Sequence, residues 1–324
     1  MRSTKGMADL ARMRKKRDDR GSGIQGILII DKPEGLTSHD VVQKVRRIYS
    51  IRQVGHAGTL DPIASGVLVL LIGSATRIAQ YLQEDDKEYH LILKLGVETD
   101  TQDITGEILG EADPFSVTEL DLKAVVDRYK GTISQVPPAF SAVKRAGQPL
   151  YKLARQGVRV QADPRNVTVY SIEVSRVDLP HISMKVVCSK GTYMRTLCHD
   201  IGRDLGVGGC MESLIRVRSG RFSLKDAVGL DRIESDPSPE KWLRKAADGL
   251  SFPVTEPGDE DLIRLVSGTR IPCDDCNGGG LVSVTRKGRL IALAQALESD
   301  GKVMLSPQKV LEPDLKELFK QIDK

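Results

Sequence analysis

The stretch Gly55-His56-Ala57-Gly58-Thr59-Leu60-Asp61-Pro62-Ile63-Ala64-Ser65-Gly66 decides how this sequence is interpreted. Its glycines allow positive φ and a close approach of the backbone to a ligand. Pro62 pushes Asp61 toward extended geometry, because the proline ring crowds the residue before it. A short carboxylate in such a stiff loop is suited to act as a nucleophile or a base. Most Asp-Pro pairs only make a turn, however, and local physics alone favours that alternative.

Length and composition set the class of protein. The chain has 324 residues, enough for one large domain and a small one. Aromatic residues make up only 4%, which argues against a binding surface built from stacked rings. No apolar run approaches the roughly 20 residues that span a bilayer. The charged N-terminus lacks the apolar core of a secretory signal. We therefore expect a cytoplasmic protein with no membrane partner.

The positive charge is concentrated at the N-terminus. The net charge is +4, and residues 1–23 contain eight Lys or Arg against three Asp. The rest of the chain is therefore close to neutral. A basic, flexible arm over residues 1–25 suits a polyanionic partner such as nucleic acid. A solvated tail would have the same composition, so the arm alone does not identify a partner.

Hydrophobic periodicity predicts a main domain over residues 26–250 and a small module over 251–324. Strands are predicted at 27–30, 67–72, 89–96, 167–177 and 182–188, and helices at 41–48, 75–82, 117–129, 150–156 and 193–205. Such irregular alternation predicts a mixed α+β fold rather than a doubly wound one. Short strands at 281–284, 290–293 and 303–305, separated by glycine turns, predict a small β-barrel.

Several segments, in order along the chain, resemble motifs of the TruB family of pseudouridine synthases. They are residues 31–38 (DKPEGLTS), 55–62 (GHAGTLDP), 87–89 (KEY), 95–103 (LGVETDTQD), 137–144 (PPAFSAVK), 151–157 (YKLARQG) and 188–197 (CSKGTYMRTL). Together they cover about residues 26–230. Residues 268–272 and 288–292 are similar to the family's C-terminal PUA-like RNA-binding domain, whereas 273–280 depart from it.

The resemblance implies the activity. Enzymes of this family isomerise uridine to pseudouridine in the T-loop of tRNA, at position 55. Reactant and product contain the same atoms, so we expect no cofactor and no metal. Residues 21–26 match the dinucleotide-binding pattern G-x-G-x-x-G. They precede a predicted strand, however, whereas that pattern follows a strand and opens a helix, so we expect no dinucleotide site here. The expected partner is the T-arm of tRNA, and the expected state of the protein is a monomer.

The resemblance also assigns the central residues of the site. Asp61 is the catalytic carboxylate, which attacks the uracil ring or the ribose C1′ or otherwise helps to expel the base. Arg195 is its charged partner, which would hold the carboxylate ionised and oriented. A phosphate contact or a surface salt bridge is the alternative for Arg195. Tyr89 would stack on the target base and help to remove the C5 proton, or it is a core tyrosine.

Four further residues complete the predicted substrate-binding set. His56 would occupy the space that the flipped uridine leaves. Asp103 would organise the pocket through Arg195 or the base, unless it only caps a turn. Lys32 would support the loop of the active site, unless it is an exposed lysine. Leu197 would pack against the uracil, or else belongs to the core.

Phosphate contacts and cysteine chemistry are less specific in the sequence. The helix with Lys44, Arg46 and Arg47 and the segment 144–159 could contact phosphates, although charged faces are usually just solvated. The five cysteines are an odd number without a signal peptide, so we expect reduced thiols. Cys273 and Cys276 lack the further ligands of a zinc site, so they are expected to be two thiols in a loop.

Three alternative functions remain open. The first is a protein that binds or chaperones tRNA without chemistry, although intact Asp61, Tyr89 and Arg195 argue against it. The second is a synthase of the same fold that acts on another RNA or inside a guide-RNA particle. The third is a metabolic enzyme with a small phosphorylated substrate, which would need a phosphate or cofactor site that the sequence does not show.

Overall fold

The structure is a computed structural model that describes residues 23–141, 143–145, 147–150, 156, 162–299, 301–312 and 314–315. Most of the helix predicted at 150–156, of the motif at 151–157 and of the basic segment 144–159 lies outside these residues. Across the described chain, no helix is both long and apolar enough to cross a membrane.

A nine-stranded mixed sheet forms the centre of the main domain. Numbered in chain order, its main path is β1 (Gly26–Lys32), β3 (Ala64–Ile72), β12 (Gly209–Ser219), β4 (Lys87–Leu95), β11 (His181–Cys188), β10 (Arg165–Asp178) and β7 (Gly131–Gln135). β2 (Val54–His56) pairs with β3, and β13 (Phe222–Ser223) pairs with β12. Neighbours on this path are antiparallel except β3 and β12, which are parallel.

The helices and turns follow from local sequence signals. The α-helices are α1 (Ser38–Ile48), α2 (Ala79–Gln83), α3 (Glu119–Arg128), α4 (Met194–Asp204), α5 (Leu230–Ser235), α6 (Pro239–Trp242) and α7 (Asp259–Val266). Turns of 3-10 helix cover Gly73–Ile78, Pro114–Ser116, Leu224–Asp226 and Ala246–Gly249. α1 begins at a capping box between Thr37 and Asp40, which satisfies free backbone amides of its first turn.

A second, curled sheet of five strands forms the C-terminal module. Its order is β14 (Val254–Thr255), β16 (Gly280–Arg286), β17 (Arg289–Ser299), β18 (Lys302–Val310) and β15 (Ile271–Pro272). Leu290, Leu293 and Leu311 of this module share one buried apolar cluster with Ile27 and Leu71 of the large sheet. The two sheets are therefore packed through a common core. Two short ribbons, β5 (Val97–Thr99) with β6 (Ile108–Glu111) and β8 (Lys144–Arg145) with β9 (Gln148–Pro149), lie outside both sheets.

The predicted α+β class with a small C-terminal β module is confirmed, and the curled sheet is consistent with a PUA-like domain. The helix predicted at 75–82 differs, because it begins as the 3-10 turn Gly73–Ile78. β12 was not predicted, although it joins β3 to β4 in the middle of the sheet. Gly66 allows this parallel pairing: its φ is +97°, and a Cβ there would lie 2.3 Å from the carbonyl oxygen of Arg216.

The prediction of reduced cysteines is confirmed for three residues and wrong for two. Cys188, Cys198 and Cys210 are buried free thiols, as expected. The prediction is wrong for Cys273 and Cys276, which form a disulfide. The turn between them brings their Cα atoms to 5.5 Å, within the range that a disulfide can bridge.

Candidate active site

Asp61 lies on the loop between β2 and β3, and the preceding motif holds this loop in place. Ser38, at the start of α1, is buried, and its hydroxyl accepts a hydrogen bond from the Leu60 amide at 2.8 Å. The same hydroxyl lies 3.1 Å from the Leu60 carbonyl oxygen, to which it donates. Both backbone groups of Leu60, the residue before Asp61, are thus held by the Ser38 hydroxyl. Ser38 was not predicted to serve the site.

Lys32, at the end of β1, holds the turn that follows this strand and reaches the Asp61 loop by one longer contact. Its side chain is fully buried, and Nζ donates to the carbonyl oxygens of Pro33 at 2.9 Å and Leu36 at 2.7 Å. A longer contact of 3.5 Å reaches the carbonyl oxygen of Pro62, next to Asp61. Burial lowers the pKa of Lys32 to about 8, while the charge of Asp61 raises it. The exposed-lysine alternative is therefore wrong.

The carboxylate of Asp61 faces the guanidinium of Arg195. Nη2 of Arg195 donates a hydrogen bond to Oδ1 at 3.2 Å. Nε lies 2.9 Å from Oδ2, as an ion-pair contact without hydrogen-bond alignment. The Arg195 side chain is 5% exposed and that of Asp61 is 33% exposed. The arginine is therefore fixed inside the protein, while the carboxylate remains open to a substrate.

Arg195 is also the point where two other motifs meet. Nη1 donates to the carbonyl oxygen of Thr101 at 3.1 Å, and Nη2 donates to that of Phe140 at 3.0 Å. Nη1 lies 3.8 Å from Oδ2 of Asp103. These groups come from segments far apart in the sequence. The planar fork of an arginine can satisfy all of them at once, which the single ammonium of a lysine cannot do.

Asp103 combines the two roles that the sequence left open. Its Oδ1 accepts hydrogen bonds from the Thr101 hydroxyl at 2.9 Å and from the Thr105 amide at 3.0 Å, as in a capped turn. Its Oδ2 faces Arg195. The turn therefore fixes the carboxylate so that its second oxygen points toward the arginine.

The electrostatics of Asp61 result from opposing effects. Burial raises the pKa of the Asp61 carboxyl above its ordinary value, and the nearby charge of Asp103 raises it further. Arg195 and Lys32 act in the other direction, because positive charge favours the carboxylate form. Loss of Arg195 would therefore raise this pKa.

Tyr89 lies on β4 opposite Arg216 of β12. Burial raises the pKa of the Tyr89 phenol, so the hydroxyl stays protonated at neutral pH. Arg216 is close enough for its positive charge to act on this pKa in the lowering direction. The side chain is 8% exposed. Asp61 is close enough for its charge to raise the same pKa further. Tyr89 thus lies within electrostatic range of the Asp61 carboxylate, with its side chain largely buried.

Arg216 is the principal site residue that the sequence analysis missed. Its side chain is 1% exposed. Nη1 donates to the carbonyl oxygen of Thr59 at 3.3 Å, Nη2 to that of Gly58 at 3.2 Å, and Nε to that of Val67 at 2.7 Å. It therefore ties the Asp61 loop to β3. The sequence alone did not signal this, because Arg216 alternates with apolar Ile215 and Val217, a pattern that predicts the solvent face of a strand for the arginine, whereas the structure exposes Ile215 and buries the arginine.

His56 and Leu197 lie in different environments. Nδ1 of His56 is buried without a hydrogen-bond partner among the described residues. Burial lowers the pKa of His56, and the charges of Arg216 and His39 lower it further, so the ring is neutral at neutral pH. Leu197 is completely buried in the main hydrophobic core, which agrees with the core alternative rather than with a uracil contact.

The basic residues of α1 differ in their availability. Arg46 donates to the carbonyl oxygen of Val54 at 3.0 Å, so it stabilises the approach to β2. Arg47 is exposed and Lys44 is partly exposed. Across residues 23–141 and 162–299 and the shorter described segments, no group of three or more His, Cys, Asp or Glu is placed to bind a metal ion.

Solved structures with this fold identify the class of protein. The chain has 28% sequence identity and a TM-score of 0.64 to a chain of a Cbf5-Nop10-Gar1 complex, covering 92% of this chain and 87% of that one. A chain of an H/ACA RNP bound to a substrate RNA containing 2′-deoxyuridine matches at 25% identity and a TM-score of 0.63, covering 93% and 87%. The fold, with a loop carboxylate paired to a buried arginine, is that of a pseudouridine synthase.

Sequence comparison then gives the family. Residues 46–194 match the N-terminal domain of the TruB family pseudouridylate synthases, and residues 195–247 match the C-terminal domain of tRNA pseudouridylate synthase B. The chain belongs to the TruB family. It is therefore a tRNA pseudouridine synthase, an isomerase.

Curated relatives agree with this assignment over most of the chain. The tRNA pseudouridine synthase B of Syntrophus aciditrophicus is 47% identical, over 87% of this chain and 95% of the relative. That of Syntrophotalea carbinolica is 43% identical, over 86% and 94%. That of Pseudomonas fluorescens is 38% identical, over 92% and 97%. The expectations of a TruB-family chain and of pseudouridine formation in tRNA are confirmed.

Proposed function

We propose that this enzyme isomerises the uridine at position 55, in the T-loop of tRNA, after flipping the base into the site, with Asp61 as the catalytic carboxylate. The observation that carries the proposal is the pairing of partly exposed Asp61 with buried Arg195. A carboxylate that is fixed, paired and still accessible is suited to attack a substrate. The position-55 uridine and the flipping step come from the family resemblance.

The reaction balances without any added reagent. The bond between ribose C1′ and uracil N1 breaks, the ring rotates, and a bond between C1′ and C5 forms. The C5 proton is lost and N1 gains a proton. Asp61 acts either at the uracil ring or at C1′, and both routes return it unchanged. The net result is an isomer of the starting nucleotide.

The neighbouring residues would supply orientation rather than further nucleophiles. Arg195 holds the Asp61 carboxylate and favours its ionised form. Tyr89 stacks on the flipped base, and its raised pKa argues against a phenolate base in the resting enzyme. His56 occupies the vacated position in the RNA, and its neutral ring can stack between bases without carrying an unpaired charge. Lys32 supports the loop next to Asp61 through its contact with the Pro62 carbonyl oxygen.

The test is a tritium-release assay. The purified protein is incubated with an unmodified tRNA transcript that carries C5-tritiated uridine, and released tritium counts turnovers because isomerisation exchanges the C5 hydrogen. We expect release by the wild type and none by Asp61→Asn, which should still bind tRNA. A transcript with cytidine in place of the T-loop uridine is the substrate control. Turnover by Asp61→Asn would remove Asp61 from the mechanism.

The same experiment separates the alternatives. Tight binding of tRNA without release would favour a tRNA-binding protein without chemistry. Release that persists on the cytidine transcript would place the reaction at another uridine. We further propose that the enzyme works as a monomer in the cytoplasm. Light scattering of the active protein, with and without tRNA, tests the monomer, and fractionation of cells tests the location.

A further inference from the structure

Gln102 has a backbone conformation that is unusual for its residue type. Its φ is +62°, in the left-handed region that favours glycine. It stands between Thr101 and Asp103, both of which face Arg195. Backbone strain of this kind persists only where surrounding contacts hold it, and it concentrates at functional sites. The contacts of Gln102 therefore bear on the position of Arg195.

The backbone of Gln102 is held on both sides. Its amide donates to the carbonyl oxygen of Thr99 at 3.2 Å, and its carbonyl oxygen accepts from the Met211 amide of β12 at 3.0 Å. The peptide between Thr101 and Gln102 carries the carbonyl that accepts from Arg195 at 3.1 Å. Rotation about φ of Gln102 would turn this peptide, and with it the acceptor of Arg195.

The side chain of Gln102 is also held, by the helix that carries Arg195. The hydroxyl of Thr196 donates to Oε1 of Gln102 at 2.8 Å. Thr196 is the residue after Arg195 on α4 and is 3% exposed. The arginine and the loop that orients it are thus joined twice, once through Arg195 and once through its neighbour.

We propose that the hydrogen bond from Thr196 to Gln102 is a latch that keeps Gln102 in its left-handed conformation and so positions Arg195 against Asp61. The proposal rests on the proposed function of Asp61 and Arg195. Without the latch, the loop at Gln102 relaxes, the Thr101 carbonyl turns away, and the guanidinium loses one fixed acceptor. Thr196 and Gln102 are positioning residues that act through Arg195, with no contact to the substrate.

Thr196→Val removes the hydroxyl while keeping the shape of the side chain. A hydrogen bond of ordinary net strength shifts a local equilibrium about three- to ten-fold, so we expect the single-turnover rate of tritium release to fall by about this factor. The affinity for tRNA should not change. The acid limb of the rate profile should move to higher pH, because a less fixed Arg195 favours the Asp61 carboxylate less.

Three single variants and one double variant control the result. Thr196→Ser keeps the hydroxyl and should restore the rate. Gln102→Gly relieves the strained φ but removes the acceptor, so it should lower the rate, and adding Thr196→Val to it should have little further effect. Thr192→Val removes a hydroxyl that bonds to the Ser189 carbonyl in the preceding turn, and it should leave both rate and pH profile unchanged.

The outcomes distinguish the latch from the proposed function. An inactive wild type would overturn the proposed function, and the latch with it. An active wild type together with a Thr196→Val enzyme of unchanged rate and unchanged acid limb would overturn the latch alone. A Thr196→Val enzyme that is slow only because it unfolds would show a lower melting temperature and an unmoved acid limb, which would also refute the latch.

Discussion

Replacement of Arg216 by Met tests how the Asp61 loop is held. The guanidinium donates to the carbonyl oxygens of Gly58, Thr59 and Val67 in a site that is 1% exposed. Methionine has a similar length and no donor. Arg216→Met therefore leaves the loop carbonyls unpaired beside Asp61.

The expected cost follows from these contacts. A buried acceptor that loses its donor costs about 1–3 kcal/mol, so three carbonyls cost roughly 3–9 kcal/mol. Removing a buried charge returns several kcal/mol of desolvation free energy. We expect a net loss of about 3 kcal/mol in the free energy of unfolding, or roughly 6–12 °C in melting temperature. A loop displaced by about 1 Å would slow the reaction about 100-fold.

Urea unfolding measures the free energy of unfolding, and single-turnover tritium release, well below the melting temperature, measures the rate. Arg218→Met is the matched control on the same strand, because Arg218 is 33% exposed and pairs with Glu88, which is 32% exposed. A partly exposed pair of this kind contributes at most about 1 kcal/mol, so this variant should stay close to the wild type. An Arg216→Met enzyme that is folded and as fast as Arg218→Met would refute the reasoning.

Two further predictions concern the charge pair and the shared core. Arg195→Lys should move the acid limb of the pH–rate profile to higher pH, because burial raises the Asp61 pKa and a lysine lowers it less well than the arginine does. Arg203→Lys, at an exposed position of the same helix, is the control. Coincident pH profiles of the two variants would contradict the prediction. Leu293→Ala, in the core shared by both sheets, should destabilise the protein by about 2–5 kcal/mol in one cooperative urea transition, whereas two separate transitions would show that the sheets unfold independently.

The sequence by itself determined the identity of the loop and of several elements around it. Motifs in family order pointed to Asp61 as the catalytic carboxylate, and periodicity located α3, α4 and five of the nine strands of the large sheet. These signals are local. A capping box at Thr37 and an apolar spacing of Val41, Val42 and Val45 depend on residues a few positions apart, so they can be read without knowing the fold.

Tertiary structure alone decided which partners meet. Arg195 forms hydrogen bonds with Asp61, Thr101 and Phe140, which are 134, 94 and 55 positions away in the sequence. Such contacts depend on the order and register of the strands rather than on a local sequence pattern. The roles of Asp103 and Lys32 were open in the sequence for the same reason. An aspartate that caps a turn and one that faces an arginine can have the same sequence context, and so can an exposed and a buried lysine. The structure separates these cases because burial and the direction of each side chain are set by distant elements.

One role that the sequence left open and one residue that it missed have the same origin. Leu197 has a suitable apolar side chain, but the phase of α4 turns it into the core, whereas Arg195 two positions earlier faces the site. Arg216 lies in a strand that was not predicted, and its charge concealed that it occupies a core position. A sequence shows which residues can be buried or paired, and the packing of the sheet against α4 and the Asp61 loop decides which of them are.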